Sequence, residues 1–424
     1  MIRSRLSSDG ASGAAATFRT IVLLITCAGV VAWWVWALPA YSTPEQWNDS
    51  WFYVGPGAWT FLRPWVTVLF WKSFGATPWA VYALYTLSVL CWARLGWVTL
   101  GPIGVALALT LSGTDLVRSW NYTVLSEPLA LSGLAWMAAE TVQLRDCDTW
   151  PQRVRWCLAA MLATTRVATA PLVLPAAVAA VAGRKRLLWL LPLAVVLAAT
   201  PILQQHHYPD HERQQAGNLA AFRVGEVPSL LDWMIKHGMP WPFPQRWQRI
   251  LYANRVEMRK DAPELVDYIE GPFYPTYQLY LLLHPEYTAR SALCIGLAER
   301  PQTLYPNHNI PESDALWAQV GTYIGYFTVV ILALLLEPWA GIASLILPVL
   351  SYHANVNELE RLNAVTWAWT WIVALLVLRA AVRWVRTRVF QPALQYLRAR
   401  RDRRTTPPSA DIDSPVAPKG GALP

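Results

Sequence analysis

Carboxylates and guanidinium groups placed just outside apolar segments are the side chains here whose types and spacing could do chemistry together. The densest stretch runs from Trp47 to Trp65. Asp49 lies in Trp47-Asn48-Asp49-Ser50-Trp51-Phe52-Tyr53, ahead of Gly55-Pro56-Gly57 and Arg63-Pro64-Trp65. An acid held among aromatic rings directly after an apolar segment reads as a reactive group; the alternative is a solvated loop acid. Glu127 stands in Leu125-Ser126-Glu127-Pro128-Leu129, at the mouth of an apolar helix. A carboxylate is costly there unless paired or wet. It could also serve only as a helix cap with Ser126, Pro128 being tolerated in the first turn. Arg63, Arg166 and Arg361 are the nearest cations, and a planar guanidinium suits bidentate contact with phosphate. Simpler uses exist for two of them: Arg63 could snorkel to headgroups, and Arg361 could pair with Glu358 or Glu360.

The elements that must position these groups follow from composition. Of the 424 residues 54% are hydrophobic and 15% charged, against roughly 25% charged in an ordinary soluble domain. The apolar residues come in long blocks, so the chain reads as an all-α, multi-pass membrane protein. The formal charge of +8 does not point to nucleic acid, because the arginines gather in the tail and in short loops, where they set membrane orientation. The 25 Trp and 17 Tyr suit belts at headgroup level. Arg3, Arg5 and Arg19 precede an apolar run too long and too rich in Trp for a cleaved signal.

Orientation comes from three basic segments: Arg145 with Arg153 and Arg155, Arg184-Lys185-Arg186, and a tail from Arg379 to Arg404 with nine Arg. All are expected in the cytoplasm. The first helix, Thr20 to Ala40, then leads out, and Tyr41 to about Thr77 lies outside. Helices over Pro78–Val98, Pro102–Val117 and Tyr122–Leu144 follow, with Asp115 in the outer turn between the third and fourth. Both ends of Trp156 to Gly183 are pinned inside by basic loops, so this stretch is expected to be a hairpin of two short helices with Arg166 near its tip. Leu187 to Gln204 crosses outward as the seventh helix. Trp317–Leu336, Pro338–Leu350 and Ala364–Val382 bring the total to about ten crossings, with both termini cytoplasmic. His353 falls in the last outer loop.

Four parts are expected: residues 1–204, an extracytoplasmic domain over 205–316 between helices seven and eight, membrane helices over 317–383, and a basic then disordered tail over 384–424. The outer domain carries the aromatic run Phe273-Tyr274-Pro275-Thr276-Tyr277-Gln278-Leu279-Tyr280, suited to sugar stacking or to an interfacial belt. His206, His207 and His353 are read mainly as surface residues, with metal or phosphate contact as the second use. The five Cys show neither paired metal spacing nor a disulfide framework. No metal ligand is assigned, and a divalent ion is left open.

The order Asp49-x-x-x-Tyr53-x-x-x-Gly57, Arg63-Pro64 with an apolar helix, then Ser126-Glu127-Pro128-Leu129 resembles the integral membrane glycosyltransferases of the GT-C superfamily. The closest style is that of the protein mannosyltransferase and aminoarabinose transferase branch. The likeness covers roughly Thr20 to Gln204. It departs where the branch has an Asp-Glu pair, here Asn48-Asp49, and where it has a second Pro after Arg-Pro, here Trp65. The resemblance implies a sugar donor carried on polyprenyl phosphate, an extracytoplasmic glycan, lipid or protein acceptor, Asp49 as general base, and Glu127 in the catalytic site. A donor phosphate needs cations beside it, and Arg63, Arg166 and Arg361 are the outer-side arginines nearest the membrane; Tyr53, Asp115 and His353 are expected to line the substrate. Two rivals are a transporter or flippase of an anionic or lipid-linked substrate, which would want mid-depth charges and usually a repeat, and a non-catalytic envelope scaffold.

Overall fold

The computed structural model describes residues 3–36, 65–118, 121, 126–182, 184–206, 216–217, 219–225, 227–240, 263–295, 312–354 and 359–405. Among the described residues the chain is helical and has no strand. Two compact units are distinguished, Met1–Leu378 and Arg379–Pro424.

The helices are α1 (Arg3–Trp36), α2 (Trp65–Phe74), α3 (Pro78–Leu100), α4 (Pro102–Ser112), α5 (Glu127–Asp146), α6 (Trp150–Ala163), α7 (Val173–Val181) and α8 (Leu190–His206). Then come α9 (Pro228–Lys236), α10 (Pro263–Glu270), α11 (Phe273–Leu283), α12 (Pro285–Arg290), α13 (Glu312–Leu336), α14 (Pro338–Ala354), α15 (Leu359–Val385) and α16 (Gln391–Thr405). Proline in the first turn starts several of them, including α3, α4, α5 and α6, because a missing N–H costs nothing there. Gly101, at φ 65°, makes the reversal between α3 and α4, a backbone shape that glycine adopts without strain.

Among the described residues three segments are long and apolar enough to cross a membrane: Thr17–Trp36, Pro78–Leu100 and Val365–Arg400. Four shorter apolar helices, Pro102–Ser112, Ala170–Val181, Ile324–Leu336 and Pro338–Leu350, accompany them. Among the described residues the all-α class expected from sequence is what folds, while ten crossings are not reached there by helices of full spanning length. Boundaries also differ. The expected outer loop from Tyr41 to Thr77 contains α2, whose Thr67, Val68 and Trp71 are buried. The third helix stops at Ser112, before Gly113 and Thr114, and Asp115–Arg118 is a separate turn. The fourth begins at Glu127, not Tyr122.

The centre of the bundle is α5, nearly every residue of which is buried and which packs against α3, α6 and α7. A helix lined by apolar and small side chains on every face is stable only when enclosed. Four tryptophans, Trp71, Trp92, Trp156 and Trp369, are fully buried as core. Trp36, Trp65, Trp79 and Trp150 are exposed, each at a helix end. A second hydrophobic cluster, including Leu230, Met234, Leu265, Ile269, Phe273 and Tyr277, gives residues 216–280 a core of their own.

Chain direction orders the two ends of the bundle. Arg145, near the end of α5, pairs with Glu337, at the turn between α13 and α14. Arg184, after α7, donates to the Arg145 carbonyl at 2.9 Å. At about 1.5 Å per residue, Glu127 lies about 27 Å from Arg145 along α5, and His353 about 24 Å from Glu337 along α14. The turn between α6 and α7, which carries Arg166, sits at that same far end.

Candidate functional site

The far end is built around an ion pair. Arg166 donates from Nη1 to Glu127 Oε1; Glu127 is fully buried and Arg166 is 9% exposed. The residues between α6 and α7 read Thr164-Thr165-Arg166-Val167-Ala168-Thr169, and the threonines hold the turn. Thr164 and Thr165 donate back to the carbonyls of Met161 and Leu162 at 2.9 and 2.7 Å, and Thr169 donates to the Arg166 carbonyl at 2.9 Å. Carbonyls at the end of α6 that the helix leaves open are thus satisfied locally, and Arg166 is free to turn toward α5.

Ser126 occupies the N-cap position of α5, yet it makes no side-chain bond to the helix backbone. Its hydroxyl donates to Glu127 Oε2 at 3.3 Å, so it serves the carboxylate rather than capping. Gly133, just under two turns along α5 from Glu127, lets the end of α6 come close. A Cβ there would collide with the Ala163 nitrogen and stand 2.7 Å from Leu162 Cβ. The contact fixes where Arg166 begins. Its Nε is shut from solvent and has no hydrogen-bond partner among the described residues.

The same helix carries a second buried acid at its other end. Glu140, also fully buried, accepts from Arg94 Nε at 2.9 Å and from Arg155 Nε at 3.3 Å. Arg94 Nη2 donates to Gln143 Oε1 at 2.6 Å. These arginines keep 29% and 38% of their side chains exposed. This is a knot tying α3, α5 and α6, with each carboxylate oxygen paired.

A third polar group joins residues 216–295 to α14. His353 is buried, with Nε2 3.1 Å from the Thr288 carbonyl and Nδ1 3.1 Å from the Tyr277 hydroxyl. A carbonyl accepts only, so Nε2 carries the proton and Nδ1 accepts from Tyr277. Burial, together with the positive charge of Arg223, pushes the imidazole down to about 4, against the pull of its bond to Thr288. Arg223 lies in the π-helical turn Ala220–Val224, its guanidinium carbon 4.0 Å from the centre of the Tyr352 ring. In the aromatic run, Phe273, Tyr277 and Tyr280 face inward as core. Phe273 and Tyr277 stack on each other, and Tyr280 packs against Trp233 and Tyr287.

Of the residues singled out from sequence, Glu127 and Arg166 are brought together. Asp49, Tyr53 and Arg63 lie outside the described residues. Asp115 opens the turn Asp115–Arg118 and Arg361 lies in the first turn of α15; their side chains are outside the described set. His353 is engaged by Tyr277, Thr288 and Ser291. Sequence reading missed Glu140, Arg94 and Arg223. The first two had a signal, being charges inside runs otherwise long enough to span; Arg223 had none. Among the described residues no cluster of three His, Cys, Asp or Glu could hold a metal. No family model matches the chain, and no curated protein or solved structure matches it either.

Proposed function

We propose that the chain is a polytopic membrane glycosyltransferase, with about ten crossings and both termini in the cytoplasm, that moves a sugar from polyprenyl phosphate to an extracytoplasmic acceptor. The observation that carries the reading is the buried Glu127–Arg166 pair, at the end of the bundle away from the arginine-rich turns. Support for the membrane setting comes from large apolar side chains left exposed on regular helices, such as Leu24, Ile25 and Val31 on α1 and Val195, Val196 and Leu203 on α8. Faces of that size need an apolar surrounding.

Asp49 is the base in this reading. The acceptor hydroxyl oxygen bonds to the anomeric carbon from the face opposite the phosphate, the carbon–oxygen bond to phosphate breaks, and the hydroxyl proton passes to Asp49. The configuration inverts, and polyprenyl phosphate leaves with the electron pair. Phosphate is already a good leaving group, so no general acid is needed. A positioned base contributes about 10²–10⁴-fold. Arg166 meets the donor phosphate with the donors that Glu127 leaves over, and Glu127 is a positioning residue that fixes the guanidinium. Arg63 and Arg361 are further candidates for the same phosphate.

The test is binding of polyprenyl phosphate to the purified full chain. The double variant Glu127→Gln/Arg166→Met, which leaves no charge stranded, is expected to fold and to lose at least tenfold in affinity. Unchanged affinity in a folded double variant removes Arg166 from the phosphate site.

A further inference from the structure

Three arginines of this chain show what the protein does with one edge of a guanidinium. Nε and Nη2 point the same way and together form the fork that grips a carboxylate or phosphate through two parallel bonds. In Arg153 that fork is filled by Asp148, with Nε to Oδ1 at 2.7 Å and Nη2 to Oδ2 at 2.8 Å. In Arg94 it is filled by Glu140 and Gln143, at 2.9 and 2.6 Å. In Arg223 it is empty: both Nε and Nη2 are buried and neither has a hydrogen-bond partner among the described residues.

The exception is the most enclosed of the three. Arg223 is 7% exposed, whereas the Arg94 and Arg153 side chains are 29% and 23% exposed. No ion pair to Arg223 is present among the described residues. Among the described residues its favourable charge contact is the face of Tyr352 at 4.0 Å, which satisfies neither donor. Tyr277, Tyr287 and His353 are near enough to feel its charge, and none of them carries a negative charge at neutral pH. A desolvated cation with its bidentate edge unfilled is unfavourable, and Arg223, unlike Arg94 and Arg153, leaves both donors of that edge to something that arrives. The seat of Arg223 is a π-helical turn, a departure from the regular ladder that often marks a functional position.

We propose that Arg223 is the centre of an anion-binding site that takes a phosphate-class oxyanion through its Nε–Nη2 edge, with the Tyr352 ring holding the guanidinium plane. Both nitrogens are shut from solvent, so entry requires the turn Leu219–Gly225 to yield, and an occupied site holds that turn more firmly. The phosphate is either free in solution or part of a lipid headgroup. The site does not depend on the transferase reading, since it would stand in a transporter or a scaffold equally well.

The experiment uses the purified full-length protein in detergent. Thermal unfolding is followed against inorganic phosphate, a short-chain prenyl phosphate and, at matched ionic strength, chloride, for wild type, Arg223→Gln and Arg223→Lys. Wild type is expected to gain several degrees with phosphate over chloride, and Arg223→Gln to lose that gain. Arg223→Lys keeps the charge and lacks the fork, so its half-saturating concentration is expected to rise at least tenfold. A prenyl phosphate acting at tenfold lower concentration than inorganic phosphate identifies a lipid source; equal concentrations identify a free anion. Should the glutamine variant fail to fold, the lysine variant and hydrogen exchange on wild type decide, with slower exchange across Leu219–Gly225 expected on adding phosphate. No response in wild type, a response of equal size and midpoint in a folded variant, or unchanged exchange of the turn overturns the proposal. Wild-type protein that moves no sugar yet keeps the phosphate response would count against the transferase and leave this site standing.

Discussion

Helix α5 carries a fully buried glutamate toward each end, and the protein treats the two in opposite ways. Glu140 is shared by two arginines that reach water with about a third of their side chains, and Gln143 takes up a further donor. Among the described residues Glu127 pairs with Arg166, itself buried, and the Nε of that arginine has no hydrogen-bond partner there. The first arrangement ties helices together and has nothing left to give. The second holds a cation in a dry place with a donor unused, the feature on which the proposed phosphate contact rests.

The largest effects should separate the two ends. Arg166→Ala removes the cation that Glu127 pairs with in the interior and is expected to cost about 3–5 kcal/mol, read as a fall in melting temperature of the purified chain. Glu140→Ala leaves two arginines that can turn to water and is expected to cost less, about 1–3 kcal/mol. Equal losses would break the comparison. Acid should act on the Glu127 end first. His353 lies three residues beyond the apolar segment Pro338–Leu350 and is held neutral with a folded value of about 4, below its unfolded value of about 6.5.

For a base so depressed, stability is full above the unfolded value and falls as the pH drops toward the folded one. The loss is expected to reach about 3 kcal/mol by pH 4. His353→Gln should flatten that part of the pH profile, and an unaltered profile would remove the assignment. Next in size, Gly133→Ala forces the end of α6 away from α5 and is expected to cost about 1–3 kcal/mol, with a loss of polyprenyl-phosphate affinity that the same substitution on an exposed helix would not cause. Smallest is Arg155→Ala: Arg94 still pairs Glu140, and the change should stay within about 1 kcal/mol.

The sequence was legible where length and charge placement leave few choices. Basic loops on both sides of a stretch too short for two ordinary spans imply two short helices with Arg166 between them, and α6, the threonine-rich turn and α7 have that arrangement. An acid at the head of an apolar helix implies a partner, and Glu127 has one. What could not be read were long-range pairings between charges that look unremarkable alone: Arg94 with Glu140, 46 residues apart, and Arg145 with Glu337, 192 apart. Tryptophan misled in part. Its abundance suggests interfacial belts, yet Trp71, Trp92, Trp156 and Trp369 fill the core, because a large ring also packs between helices and composition does not say which. His353 looked like a loop residue because its partners, Tyr277 and Thr288, are 76 and 65 positions away.

Sugar transfer with Asp49 as base, proposed above, is open to a direct assay. Purified full-length protein is incubated with a panel of radiolabelled polyprenyl-phosphate sugars and an extract of envelope acceptors, and the label leaving the lipid fraction is followed for wild type and Asp49→Asn. The account predicts transfer of one sugar by wild type and a fall of at least a hundredfold in the variant, about the lower bound for a lost general base, with expression and folding retained. Wild-type protein that moves none of the sugars, or an Asp49→Asn protein that moves them as fast, would contradict it.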